Sequence, residues 1–250
     1  MSYDFENQRR AWSSPPVDDV GYIPSAHLMQ HTDAELRAVI DRMRDTRYTG
    51  WRNYRGLWRD VFGLDTTTGR RILDFGCGVG MEAAEFARAG NEVDVADISV
   101  DNLHLAARVV RLYSERTPIE YEVSGQPPYL LPARDYDVFH CSGVLHHLPH
   151  ARGIMELAWR ALVPGGEVRL MVYSDEGWRL YTGSEPPEDV TTHPAFYTFV
   201  RAFDGVGDYA DWYDRNKIER LFGDLFAVER LEYLTPNGRY LGAVLRRRDE

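Results

Sequence analysis

A glycine-rich run, Asp74-Phe75-Gly76-Cys77-Gly78-Val79-Gly80, follows a short apolar segment and precedes a helical pattern. Glycine in such a place lets a ligand approach the backbone and exposes the helix N-terminus. A dinucleotide-binding loop reads G-x-G-x-x-G, yet counting from Gly76 its last glycine position falls on Met81. Asp74 stands at the loop itself, where a carboxylate repels a pyrophosphate and favours a cationic ligand. The plainer alternative is that Asp74 only caps the loop. Seventeen residues after Gly80 comes Asp97, at the end of the next apolar segment, where a carboxylate can take a ribose diol.

Proton-transfer chemistry has three candidates. His146 and His147 follow a strand-like run, and histidine is the side chain best matched to a base near neutral pH. Asp175 follows the next such run, with a surface turn as its bland alternative. A metal reading of Cys141, His146, His147 and His150 fits no standard ligand spacing. The stretch from Trp178 to Tyr213 is too long for an ordinary connection, and long insertions beside a ligand edge are often lids. It holds nine aromatics and six acids against two arginines. Trp178, Tyr209, Trp212 and Tyr213 from this stretch, with Tyr173 just before it, are candidate walls of a pocket for an aromatic or cationic small molecule. Tyr48 and Trp51 are candidates for the opposite wall. The competing reading is that the lid aromatics simply pack the insertion onto the body.

The elements that must position these residues follow from periodicity. Residues 1–30 show little pattern and read as an irregular arm. Thr32-x-x-Glu35 is a capping box before Leu36, Val39, Ile40 and Met43, and an aromatic helix is expected over 51–62. From Arg70 onward strands at 70–75, 92–98, 119–123, 136–142 and 167–173 alternate with helical stretches, implying a doubly wound parallel sheet. Two further runs, 226–234 and 239–247, flank Thr235-Pro236-Asn237-Gly238, and Asn-Gly between strands marks a hairpin.

The chain of 250 residues suits one α/β domain with a small extension. Its net charge is 29 − 39 = −10, and only one of its cationic residues, Lys217, is a lysine. An acidic protein repels phosphate backbones, which argues against nucleic acid, although arginines among the aromatics at 47–59 keep RNA as an alternative. With two cysteines, Cys77 and Cys141, and no apolar leader or long apolar run, free thiols and a cytoplasmic location are expected.

ILDFGCGVG, ADIS (96–99), YDVFHCSGVLHHLPH (136–150) and LVPGGEV (162–168) together resemble the motifs of the class I S-adenosylmethionine-dependent methyltransferases over roughly residues 70–173. The resemblance implies a doubly wound, seven-stranded, mostly parallel sheet ending in an antiparallel hairpin. A helical cap at 1–69 would precede a Rossmann-like domain at 70–250, with the lid at 178–213. It implies S-adenosylmethionine as cofactor, which carries an ammonium and a sulfonium and no phosphate. Gly76, Cys77, Gly78 and Gly80, with Asp74, would line its methionine portion. Asp97 would bind the ribose, with Ile98 on the adenine and Ser142 in the same site. The acid that the family often places after the third strand is missing here, and Gln126 is its candidate substitute. The implied activity is methyl transfer to oxygen or nitrogen of a small molecule. RNA or protein methylation, or a non-catalytic cofactor-binding subunit, are the alternatives. The resemblance leaves oligomeric state open.

Overall fold

The computed structural model describes residues 4–14, 23–123, 135–203 and 207–249. Seven strands form one sheet in the order β3-β2-β1-β4-β5-β7-β6. The parallel part comprises β1 (Arg71–Phe75), β2 (Glu92–Asp97), β3 (Glu120–Glu122), β4 (Tyr136–Ser142) and β5 (Leu162–Tyr173). The central strands β1, β2 and β4 are buried on both faces, as a sheet covered by helices on each side requires, whereas the edge strand β3 exposes Glu120 and Glu122. β6 (Phe226–Tyr233) and β7 (Tyr240–Arg247) form the expected hairpin, and β7 runs antiparallel to β5. Leu234 N donates to Tyr240 O at 2.9 Å across the turn, where Gly238 takes φ +70°.

Alternation along β1 divides the core. Ile72 packs on one face with Val93, Val138 and Phe86, and Leu73 on the other with Phe139 and Leu170. The helices α5 (Met81–Arg88) and α6 (Val100–Arg111) cover the first face. The second is covered by α7 (Ala151–Ala161) and α10 (Arg215–Phe222). The chain leaves β1 towards β2 and later returns on its other side as β4. This reversal opens a crevice at the carboxyl ends of the central strands, where ligands of open α/β sheets bind.

The N-terminal region departs from expectation. The supposed arm contains α1 (Phe5–Trp12) and the short α2 (Ser25–Leu28). Asp4 caps α1 by accepting from Asn7 N at 3.2 Å, Glu6 lies in the first turn, and Arg9 and Arg10 lie in the last. Each sits at the end of the helix dipole that suits its charge. The capping box at Thr32 starts α3 (Asp33–Arg47) as read, and Leu36, Ile40 and Met43 bury against α5 and α6. The single helix expected over 51–62 is broken. A 3₁₀ turn at Trp51–Gly56 ends where Tyr54 turns extended and Arg55 and Gly56 adopt positive φ, and α4 covers only Leu57–Val61. Arg55 carries the backbone strain of a side-chain-bearing residue in that region. The insertion after β5 holds α8 (Asp175–Thr182) and α9 (Phe196–Phe203). No helix among the described residues is long and apolar enough to cross a membrane.

His140 on β4 gives the fold a measurable acid sensitivity. It is fully buried between Phe62 and Phe86, each 5.2 Å away, and neither ring nitrogen has a partner among the described residues. Burial pulls its pKa down from 6.5 to about 4, against the opposing pull of Glu82. The unfolded chain therefore takes up a proton near pH 6.5 that the folded chain refuses until about pH 4. The stability involved is present above 6.5 and is lost as pH falls towards 4, a difference of about 3 kcal/mol. Thermal melts should show a shallower fall in Tm for His140→Leu than for the parent across that window. Parallel falls would remove His140 as the cause.

Candidate active site

A cavity of about 210 Å³ lies at the crevice. The glycine loop forms one side of it. Gly76 has φ +76°, and a β-carbon there would stand 2.1 Å from Val144 Cγ2, so no other residue fits. Gly76 N and Cys77 N donate to Ala96 O at 2.7 and 3.2 Å, Gly80 N to Cys77 O at 2.8 Å, and Gly78 N to Asp97 Oδ2 at 3.0 Å. A loop whose N–H groups are satisfied in this way is not a phosphate cradle. Gly76, Cys77 and Gly78 line the cavity, whereas Gly80 does not. A β-carbon on Gly80 would meet Ala106 Cα at 2.9 Å, so that glycine serves the close approach of α5 to α6. Both cysteines are buried free thiols, and only Cys77 reaches the cavity.

Asp97 is held from several directions. Oδ1 accepts from Ser99 N at 2.8 Å and Asn102 Nδ2 at 3.1 Å, and Oδ2 accepts from Gly78 N. Burial raises its pKa in spite of these bonds. It lines the cavity with Ile98 beside it and Ser142 from the end of β4. Asp74 is placed differently from expectation. It lies beneath the loop, off the cavity, and accepts the Ala83 N–H in the first turn of α5. Burial pushes its pKa well up, with Glu82 and Asp97 adding to the effect. The capping alternative therefore describes its position better than ligand contact does.

Glu82 is the carboxylate that faces the cavity in its place, and sequence reasoning missed it. Burial alone would raise its pKa. Arg47, His140 and Arg52, with the Trp58 N–H, instead hold it below the ordinary value. Arg47 Nη2 stands 3.1 Å from Glu82 Oε1 and Trp58 Nε1 donates to the same oxygen at 3.3 Å. An acid in the first turn after a glycine loop was the available signal. Gln126 lies outside the described residues.

The two histidines form a 3₁₀ turn after β4 and both line the cavity. His147 Nδ1 is 3.0 Å from the carbonyl oxygen of Tyr209. A carbonyl only accepts, so Nδ1 carries a proton, and in the neutral ring the lone pair is then on Nε2, 3.4 Å from the Tyr173 hydroxyl. His146 stacks on Tyr173 at 3.6 Å, and neither of its ring nitrogens has a partner among the described residues. Burial, helped by His147, holds its pKa well below 6.5, so the ring is neutral.

Asp175, the third proton-transfer candidate, does not line the cavity. Ser174 caps α8 by accepting from Gly177 N. The helix so formed turns Asp175 towards Arg179 Nη1 at 2.7 Å and the Tyr233 hydroxyl at 2.8 Å. Of the expected aromatic walls, Trp51 and Tyr173 line the cavity, and Tyr48, Trp178, Tyr209, Trp212 and Tyr213 do not. Trp178 packs on Phe199 at 4.8 Å, Trp212 donates to Pro187 O, and Tyr213 stacks over Phe222. Tyr48 is buried under the Arg59 guanidinium, and Tyr209 offers its backbone. The insertion's aromatics thus pack partly on one another and partly on the body, through Tyr213 on Phe222 and Phe199 on Tyr173.

In their place Phe5, Trp12 and Tyr240 line the cavity. Asn102 Nδ2 donates to Trp12 O at 2.9 Å and Ser13 and Ser99 hydroxyls meet at 3.0 Å, which brings α1 over the end of β2. Among the described residues no group of three or more His, Cys, Asp or Glu side chains could hold a metal ion.

S-adenosylmethionine can be tested against these groups. Two carboxylates line the cavity and a third lies just beneath, the N–H groups of Gly76, Cys77, Gly78 and Gly80 are satisfied internally, and the orphaned imidazole of His146 faces inwards. That set suits a cationic ligand without phosphate. Asp97 would hold a ribose diol, Glu82 an ammonium, and Arg47 a carboxylate.

Comparison with known proteins agrees. A family described as a methyltransferase domain matches residues 73–168. Ubiquinone biosynthesis O-methyltransferase from Sodalis glossinidius is 26% identical over 171 residues, which are 62% of this chain and 65% of that protein. The enzyme of the same name from Paracidovorax citrulli is 33% identical over 156 residues, 61% of this chain and 60% of its own. The chain thus spans less than two thirds of the length of these curated relatives. An S-adenosylmethionine-dependent methyltransferase structure from Mesorhizobium loti superposes with a TM-score of 0.56 at 18% identity, covering 78% of this chain and all of that one. With its strand order, glycine loop and acid at the end of β2, the chain has the class I S-adenosylmethionine-dependent methyltransferase fold.

Proposed function

We propose that the protein transfers the methyl group of S-adenosylmethionine to a hydroxyl of a small aromatic molecule, with His147 as general base. The observation that carries this reading is the pairing of His147 Nδ1 with Tyr209 O, which leaves a basic nitrogen beside the Tyr173 hydroxyl in a mainly apolar cavity whose walls include Phe5, Trp12, Trp51, Phe75 and Tyr240. The cofactor supplies an electrophilic methyl on a sulfonium whose charge disperses on transfer. For an oxygen acceptor, His147 Nε2 takes the hydroxyl proton and the Tyr209 carbonyl steadies the resulting imidazolium. His146, neutral and unpartnered, hydrogen-bonds the acceptor, and the aromatic walls keep water from the reacting atoms.

An aromatic acceptor suits these walls better than a cationic one. The Arg52 guanidinium lies 4.1 Å from the Trp51 ring, and that of Arg239 lies 4.9 Å from Trp51 and 4.7 Å from Tyr240. Those faces already meet positive charge, which would oppose another cation. Oxygen as acceptor atom agrees with the printed names of the relatives from Sodalis glossinidius and Paracidovorax citrulli. RNA is disfavoured because cap arginines are committed to an acid: Arg44 and Arg59 both pair with Glu85.

The acceptor atom is tested by turnover on matched catechols and aromatic amines, with products identified by mass and NMR. Methyl ethers support the reading, and methylation of the amines alone refutes it. His146→Phe should keep the stacking on Tyr173 and remove an unsatisfied buried group. Tm is then expected to hold or rise while the KM for acceptor rises about tenfold, as for one lost hydrogen bond. A lowered Tm with unchanged KM would contradict that role.

A further inference from the structure

The chain's single lysine is buried. Lys217, on α10, is 5% exposed, and its Nζ lies 2.6 Å from Asp211 Oδ1, itself on a residue only 8% exposed. The ammonium also faces the Trp212 ring at 4.3 Å. The Asp211 carboxylate accepts the Tyr209 hydroxyl and, at 2.8 Å, the Trp212 N–H. Its backbone N–H donates to His146 O at 2.8 Å, and two residues earlier Tyr209 O receives His147 Nδ1. On the other side Tyr213 N donates to Tyr173 O at 2.8 Å. Residues 209–212 form neither helix nor strand. Together with Tyr213 they nevertheless reach both histidines and Tyr173 of the cavity.

A buried ion pair adds little net stability over an apolar pair of similar size, but it fixes geometry. A compact ammonium suits this pocket between carboxylate and indole, where a planar guanidinium fork would not. We propose that Asp211 and Lys217 are positioning residues for methyl transfer, holding the Tyr209 carbonyl where it fixes the tautomer and orientation of His147. This rests on the reading of His147 as the base. Lys217 orients Asp211, Asp211 pins the Tyr209 hydroxyl, and the Tyr209 carbonyl keeps the proton on His147 Nδ1. Among the described residues, other charged or titratable groups facing these residues include Asp189 from the insertion, Tyr213, Asp214 and Arg220 beside Lys217, and His146 and Tyr173 beside His147.

The test is a set of three variants, Asp211→Asn, Lys217→Met and the apolar pair Asp211→Leu/Lys217→Met. The last keeps the protein folded should a single change leave a buried charge unpaired. Ring ¹⁵N NMR of the cofactor-free protein reads the His147 tautomer directly, and steady-state kinetics read kcat and the KM for S-adenosylmethionine. The parent should show His147 protonated on Nδ1 only. The apolar pair should keep its Tm, show mixed tautomers, and lose about 10²-fold in kcat with little change in cofactor KM, as for a misplaced catalytic group. An unchanged tautomer and kcat in the folded apolar pair would overturn the proposal. If the tautomer changes while His147→Gln is fully active, the positioning stands and the base assignment falls.

Discussion

Replacing His147 with glutamine is expected to lower kcat by about 10²- to 10⁴-fold, the usual contribution of a general base. Glutamine can still donate to the Tyr209 carbonyl, so the local turn is preserved while the basic lone pair is lost. Binding of the cofactor should change little, because the groups that hold Asp97 (Gly78 N, Ser99 N and Asn102) all lie outside the 3₁₀ turn. Asp175→Asn should by contrast leave kcat near the parent value, because its carboxylate is engaged with Arg179 and Tyr233 away from the cavity. Rates for His147→Gln within twofold of the parent would remove His147 from the chemistry.

Asp97→Ala should weaken binding of S-adenosylhomocysteine by at least about tenfold, and towards 10²-fold, the loss expected for hydrogen bonds to a charged acceptor. Two effects add. The ribose loses its acceptor, and Gly78 N, Ser99 N and Asn102 lose the group that holds the loop against β2. Asp97→Asn separates them in part, since the amide oxygen can still accept from Ser99 N and Asn102. Titration calorimetry gives the affinities. Because burial raises the Asp97 pKa, parent affinity should begin to fall at a higher pH than an exposed aspartate would allow, and Asp97→Asn should lack that fall. Unchanged affinity in Asp97→Ala would place the cofactor elsewhere.

What could be read in advance divides along physical lines. The parallel strands, the glycine loop, Asp97 and the hairpin carry local signals: apolar runs, backbone permissiveness and Asn-Gly. Each appears within a residue or two of its expected place, except that β5 begins at Leu162, with a register shift around Gly165 and Gly166. α1 was not legible as a cavity wall. Gln8 is its only buried residue, and polar contacts such as Arg9 to Glu122 and Gln8 to Asp208 attach it, leaving no apolar stripe. The insertion's aromatics show the opposite limit. Composition marks rings as valuable for contact, but whether Trp178 faces a ligand or Phe199 depends on how α8 and α9 pack together. Asp74 and Glu82 make the same point at closer range. Eight positions apart, they exchange roles because a strand residue under the loop points away from the space that the first helical turn faces.

The most direct measurement is transfer of the labelled methyl group from S-adenosylmethionine into a mixture holding both small metabolites and macromolecules. The account predicts label in small, organic-extractable aromatic molecules, each heavier by one CH₂, with S-adenosylhomocysteine formed in equal amount and both products lost in Asp97→Ala. Label confined to RNA or protein, or cofactor bound with no transfer to any acceptor, would contradict it.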